Sequence, residues 1–274
     1  LKPNVGLLTL NNLDLPNGSS LIDKPICLKK YSLLDKKKIG LECSKNIFNI
    51  ANKSIKERGQ FILGLSGGSI ITILSEHLIK LSKGNQNMNL WKIFFADERF
   101  VDIKNPDSNA GAWINILLQM NISEENILTI NNSLDLCDCA LDYQQRLLKL
   151  SHTKKPEIDV VILGMGEDGH TASLFPDHHH NLDENNKWVF SINNSPKLPP
   201  KRVTLSYECL NLAQNCFFIS CGQSKRLPLS SIFYDKKCQL PASLINCSNT
   251  LWYIDDEAFP NQSFTLTTKV TQQI

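Results

Sequence analysis

Four short runs constrain this chain more than anything else in it: Gln60-Phe-Ile-Leu-Gly-Leu65, Trp91-Lys-Ile-Phe-Phe-Ala96, Asp159-Val-Val-Ile-Leu163 and Cys216-Phe-Phe-Ile-Ser220. A strand that is apolar at nearly every residue must be covered on both faces. The segments between these runs carry apolar residues at helical spacing. Ile39, Leu41, Ile47, Phe48 and Ile50 mark a helix from Leu34 to about Arg58, and Ile70, Ile73, Leu74, Leu78 and Leu81 mark one from Ser69 to Lys83. A third begins near Ser108 with Ala112, Ile116, Leu117 and Met120, and a fourth runs from Leu136 to Ser151. Further strands are expected at Trp188–Ile192, Val203–Tyr207 and Leu251–Ile254, with helical segments around Leu210–Gln214 and Ser224–Phe233. This alternation predicts an α/β fold, doubly wound, with a mainly parallel sheet and helices on both faces, in a single domain over residues 31–260. Residues 1–30 read as an N-terminal extension or linker and residues 261–274 as a C-terminal tail.

Charge narrows the partners. Twenty-nine basic residues against 27 acidic ones leave a formal net charge of +2 over 274 residues. So balanced a surface sets up no general field for nucleic acid or an anionic membrane, and an anionic ligand must be gripped by a few local residues. The apolar runs are far too short to span a bilayer. The chain starts at Leu1 with neither an initiator Met nor a charged-then-apolar leader, and reads as an excised or processed piece. Its nine cysteines are odd in number and lack Cys-x-x-Cys spacing, which fits reduced, buried thiols in a cytoplasmic protein.

In a doubly wound sheet, ligands bind beyond the carboxyl ends of the strands. Three polar motifs occupy that position here: Ser66-Gly-Gly-Ser69, Asp97-Glu-Arg99 and Gly164-Met-Gly-Glu-Asp-Gly-His170. The first joins a strand to a helix, where glycines admit a ligand close to the backbone and free N–H groups favour an anion. The hydroxyls of Ser66 and Ser69 add donors. Taken alone, the turn is equally compatible with a tight turn in which Ser69 caps a helix. Arg99, Lys197 and Arg202 are candidate phosphate partners, although each read singly is also ordinary surface charge. The third motif ends a glycine-rich loop in an imidazole, which near neutral pH can take a proton from water and later return it. Asp168 could orient that ring. The alternative is a loop histidine starting a helix, with Thr171 and Ser173 as caps.

The stretch Gly164-Met-Gly-Glu-Asp-Gly-His-Thr-Ala-Ser-Leu-Phe-Pro176 resembles the signature of the 6-phosphogluconolactonase family. It is accompanied in order by Ser66–Ser69, Phe95-Ala-Asp-Glu-Arg99, Pro106-Asp-Ser-Asn109, Ser195-Pro-Lys197 and Arg202-Val-Thr-Leu205. The resemblance implies a Rossmann-like fold, a small sugar-phosphate lactone as substrate in the oxidative pentose phosphate pathway, and no cofactor or metal. By motif it implies His170 as general base with Asp168 beside it. Ser66, Gly67, Gly68, Ser69, Asp97, Arg99, Gly169, Lys197 and Arg202 would surround the substrate. Ile70-Ile71 and Leu198 depart from prolines common in the family. Some parasite members are fused to glucose-6-phosphate dehydrogenase, and the start at Leu1 is compatible with such an origin. Two rivals remain. One is an amino-sugar phosphate deaminase or isomerase of the same superfamily, which would carry an Asn-Glu-Pro-Gly-like continuation after Gly-His. The other is a non-catalytic sugar-phosphate sensor. His178-His179-His180 reads as a solvated loop, because three consecutive imidazoles diverge, and Asp102, Asp107 and Glu167 read as solvated loop acids.

Overall fold

A computed structural model describes residues 4–7, 30–151, 154–177 and 187–259; the three consecutive histidines lie outside them. Among the described residues ten strands form two sheets, flanked by six α-helices. The strands are β1 (Asn4–Leu7), β2 (Lys30–Leu33), β3 (Phe61–Leu65), β4 (Trp91–Phe95), β5 (Asp97–Arg99), β6 (Val160–Gly164), β7 (Val189–Ile192), β8 (Arg202–Leu205), β9 (Asn215–Ser220) and β10 (Asn249–Ile254). The helices are α1 (Lys36–Arg58), α2 (Ser69–Ser82), α3 (Asn109–Gln119), α4 (Leu136–Leu150), α5 (Tyr207–Asn211) and α6 (Arg226–Tyr234).

The main sheet has the order β1-β2-β10-β9-β6-β3-β4 and is parallel throughout except for β1, which runs antiparallel to β2. The segment read as an N-terminal extension thus contributes β1. Along each central strand, successive residues enter two different cores. Leu63, Leu65, Ile93, Phe95, Val160 and Ile162 pack with α1, α2 and α3. Ile62, Phe94, Val161, Leu163, Cys216 and Phe218 pack with α4, α5, α6 and the second sheet. That division is why these strands are apolar at nearly every position. No helix among the described residues is long and apolar enough to cross a membrane.

The second sheet is antiparallel, in the order β5-β8-β7. The sequence reading gives β7 and β8 as strands without naming their partners and takes Asp97-Glu-Arg99 as a polar motif following a strand; the structure makes that motif β5 and pairs all three. The chain changes sheets at Ala96, whose N–H donates to Leu65 O (2.9 Å) while its carbonyl accepts from Leu205 N (2.9 Å). One residue is therefore shared between a parallel and an antiparallel partner. Nearby, Ser206 Oγ accepts from Cys209 N at 3.0 Å, so the helix after β8 starts at Tyr207, earlier than apolar spacing suggested.

Chain order fixes where a ligand can enter. The path goes from β3 outward to β4, returns to β6 on the other side of β3, and continues outward to β9 and β10. The carboxyl ends of β3 and β6 therefore border the topological switch point, where flanking connections leave in opposite directions and open a crevice. At the opposite end of β6, Asp159 is 1% exposed and ties the helix layer to the sheet. It accepts from Ser54 Oγ (2.9 Å) and Ile62 N (2.8 Å) and pairs with Arg58. Asp159→Ala leaves these donors without their acceptor and is expected to cost about 2–4 kcal/mol. Urea unfolding checks this; an unchanged midpoint would remove the latch from the account.

Candidate active site

The crevice is a cleft of about 460 Å³ at the carboxyl ends of β3, β4, β6 and β9. Its first wall is the turn after β3. Trp113 Nε1 donates to Ser66 O at 2.9 Å, fixing the point where the strand stops. Gly68 is the N-cap of α2 with φ 71°, a left-handed conformation suited to glycine, and it brings no side chain to cap the helix. The first-turn N–H groups of α2 therefore face the cleft without a side-chain acceptor. Ser66, Gly67, Gly68 and Ser69 all line the cleft, and Ser66 Oγ is buried with no hydrogen-bond partner among the described residues.

The second wall is the loop after β6. Gly166 N donates to His170 O (2.9 Å) and Gly169 N to Gly166 O (3.1 Å), curling the loop tightly. A Cβ on Gly166 would lie 2.0 Å from His170 Nδ1 and 2.4 Å from Asp168 Oδ1, so only glycine leaves room for that pair. His170 Nδ1 meets Asp168 Oδ1 at 2.5 Å, which turns Nε2 away from the carboxylate. Phe175 lies against the imidazole, with ring centroids 4.6 Å apart. No helix follows His170 over the described residues 171–177. Thr171 Oγ1 donates to Gly164 O (2.8 Å) and Ser173 Oγ to Asp97 Oδ2 (2.7 Å), binding the loop back onto the sheet ends.

Basic groups close the remaining sides. Lys197 Nζ stands 3.8 Å from Asp168 Oδ2. Arg99 lines the cleft with one end held by Asp107 O (2.7 Å), while its buried Nε has no partner among the described residues. Its neighbour Glu98 accepts from the N–H groups of Asn109 and Ala110, both at 2.7 Å, and so caps α3 and fixes β5 against it. Burial pushes the Glu98 carboxyl up, against the pull of these N–H donors.

With this arrangement established, likeness to known proteins can be weighed. Residues 34–252 match the family model described as glucosamine-6-phosphate isomerases/6-phosphogluconolactonase. The chain belongs to that family. It is 37% identical over 207 residues to the 6-phosphogluconolactonase of Rattus norvegicus, spanning 73% of this chain and 80% of that protein. A probable 6-phosphogluconolactonase of Schizosaccharomyces pombe is 34% identical over 246 residues, 84% of this chain and 95% of the relative. Among solved structures, the 6-phosphogluconolactonase of Trypanosoma brucei covers 83% of this chain and 96% of its own at a TM-score of 0.72 and 24% identity, a likeness of fold.

Within this family fold, the expected site residues separate by what they face. Ser66, Gly67, Gly68, Ser69, Arg99, His170 and Lys197 border the cleft, as do Asp97 and Arg202 deeper in its wall. Asp168 stands behind His170 as its partner. Gly169 does not line the cleft: it is buried in the loop with φ 82°, and a Cβ there would meet Leu240. Among the lining residues to which the sequence reading gave no site role are Asn109, Lys225 and Glu167. Asn109 donates through Nδ2 to Asp97 O at 2.8 Å. Lys225 arrives from the short turn after β9, announced only by Gly222 following an apolar strand. Glu167, read as a solvated acid, is exposed yet borders the cleft. Among the described residues, no group of three or more His, Cys, Asp or Glu side chains is placed to hold a metal ion.

Electrostatics set the state of the His170 pair. Burial holds the imidazole below its ordinary value of 6.5; Asp168, by hydrogen bond and charge, opposes this, and Lys197 adds to it. Burial alone would raise the Asp168 carboxyl, but His170 and then Lys197 outweigh it and bring it below the usual carboxylate range. The ring is therefore neutral at pH 7, with Nδ1 as donor to Asp168 and Nε2 free to accept. Asp168→Asn removes the carboxylate that favours the imidazolium, so the His170 titration midpoint moves to still lower pH. An NMR titration of the ring nitrogens reads this directly; a midpoint at or above wild type would contradict it.

Proposed function

We propose that the protein hydrolyses 6-phospho-D-glucono-1,5-lactone to 6-phospho-D-gluconate, with His170 activating the attacking water. The observation that carries this reading is the opening of two unlike elements onto one cleft: an anion-favouring glycine turn and a neutral, carboxylate-oriented imidazole. The names of the relatives supply the substrate class, and the cleft supplies a place for its two ends.

The phosphate sits at the Gly67–Ser69 amides with Arg99 and Lys225, held like a handle. Anchoring one end turns binding energy into orientation of the other. The lactone carbonyl then lies beside His170, whose Nε2 takes a proton from water as the oxygen attacks C1. Negative charge develops on the carbonyl oxygen, and Lys197, next to the Asp168–His170 pair, offsets it. Collapse of the tetrahedral species breaks the bond from C1 to the ring oxygen, and the imidazolium protonates that oxygen as it leaves. Asp168 keeps the ring in one tautomer and stabilises the transient imidazolium.

An aldose–ketose isomerase or deaminase needs a free base for a proton at C2. Of the two carboxylates lining the cleft, Glu167 is exposed to solvent, and Asp97, 6% exposed, is already an acceptor for Ser173 and Asn109, which supports the hydrolytic reading over that rival. A sensor needs the anion turn but has no use for a desolvated, oriented imidazole.

His170→Ala is expected to lower kcat by roughly two to four decades while the sugar phosphate still binds. Turnover of fresh lactone, corrected for spontaneous hydrolysis, tests this, and near-wild-type kcat would reject His170 as base. Arg99→Ala should instead chiefly raise KM, the mark of lost anchoring. An unchanged KM would take Arg99 out of the phosphate site.

A further inference from the structure

Arg99 and Arg202 are directly opposed residues of β5 and β8, yet their side chains are used differently. Arg202 is 3% exposed, and its guanidinium is turned to the protein. Nε donates to Pro199 O (2.6 Å), and Nη2 donates to Lys197 O and Leu198 O, both at 3.0 Å. Nη1 reaches Ser173 Oγ at 3.4 Å and lies 3.8 Å from Asp97 Oδ2. One fork therefore gathers three consecutive carbonyls of the 195–200 segment and joins them, through Ser173 and Asp97, to the loop that carries His170. That segment has little else to define it. It has no regular structure, Leu198 at its tip is 85% exposed, and apart from the Lys197–Asp168 pair its other ties among the described residues are local ones through Ser195.

We propose that Arg202 is a positioning residue, which holds the 197–199 backbone so that Lys197 stays beside the Asp168–His170 pair, and does not itself bind the sugar phosphate. Five N–H donors in a planar fork can serve three carbonyls at once, whereas a lysine cannot. Arg202→Lys keeps the buried charge but loses this grip. The inference rests on the proposed reading only in giving Lys197 a task at the site.

His170 reports on the geometry because of what faces it. Asp168 from its own loop and Asp97 from the β4–β5 junction favour the imidazolium, and Lys197 from the 195–200 segment disfavours it. Arg99, Arg202, Lys225 and Glu167 are the other charged groups lining the cleft. Moving Lys197 away therefore raises the His170 midpoint. The test is an NMR titration of the His170 ring in wild type, Lys197→Met, Arg202→Lys and the double variant, with kcat and KM for each. Both single variants should raise the midpoint, the double variant should match Lys197→Met, and Arg202→Lys should lose up to about a hundredfold in kcat, the scale of an ångström of misplacement. A wild-type midpoint in either single variant overturns the inference, as does a rise in KM at unchanged kcat for Arg202→Lys, the signature of a direct ligand. If Arg202→Lys does not fold, Ser173→Ala, which removes the hydroxyl between Arg202 and Asp97, is judged by the same midpoint criterion. If the midpoints rise together while the acid limb of kcat/KM stays in place, His170 fails as base and the positioning role stands.

Discussion

Burial on both faces of the main sheet is the constraint from which the rest follows. Leu63 and Ile62, Phe95 and Phe94, and Ile162 and Leu163 send alternate side chains into two cores, so these strands have no polar face to spare. Polar chemistry is confined to the places where strands end. Because the chain doubles back between β4 and β6, the carboxyl ends of β3 and β6 form a crevice between connections that part there. The glycine turn and the imidazole loop are neighbours for that reason, although about a hundred residues separate them in sequence.

Around the crevice, like residues are given unlike tasks by their surroundings. Asp97 and Asp168 are both carboxylates in or behind the wall. Asp97 is buried and spent on Ser173 and Asn109, whereas Asp168 stays half-open and engages the imidazole. Arg99 and Arg202 face each other across two strands. The donors of Arg202 are absorbed by backbone carbonyls, whereas Arg99 keeps a buried Nε at the cleft without a partner among the described residues. Desolvation lowers the His170 imidazole below its ordinary value, and the Asp168 carboxylate limits that fall.

Much of this was legible in the residues. The apolar runs gave β3, β4, β6, β9 and β10 of the main sheet but not β1 or β2, which lie at or next to the segment read as an extension, and helical spacing gave α1 to α4 within one or two residues. The three motifs after β3, β4 and β6 converge on one cleft. The second sheet was hidden because period and hydropathy describe a strand but not its partner. Arg202-Val-Thr-Leu205 reads the same whether it pairs in parallel or antiparallel fashion, and the change of sheet at Ala96 leaves no compositional mark. The burial of Gly169 was equally invisible, since a glycine in a loop signals a turn without saying which side faces the ligand. Lys225 escaped because a lone lysine after a strand looks like any surface charge until the neighbouring strand ends are in place. Whether Arg202 binds a ligand or a backbone depends on where Lys197, Leu198 and Pro199 turn their carbonyls, which side-chain chemistry cannot announce.

The central claim is that one sugar phosphate spans the glycine turn and the imidazole. A crystal structure of the protein with 6-phosphogluconate bound tests it most directly. The account predicts phosphate oxygens within hydrogen-bond distance of the Gly67–Ser69 amides and the C1 carboxylate beside His170 Nε2. A phosphate bound away from that turn, or a C1 carboxylate out of reach of the ring, would contradict it.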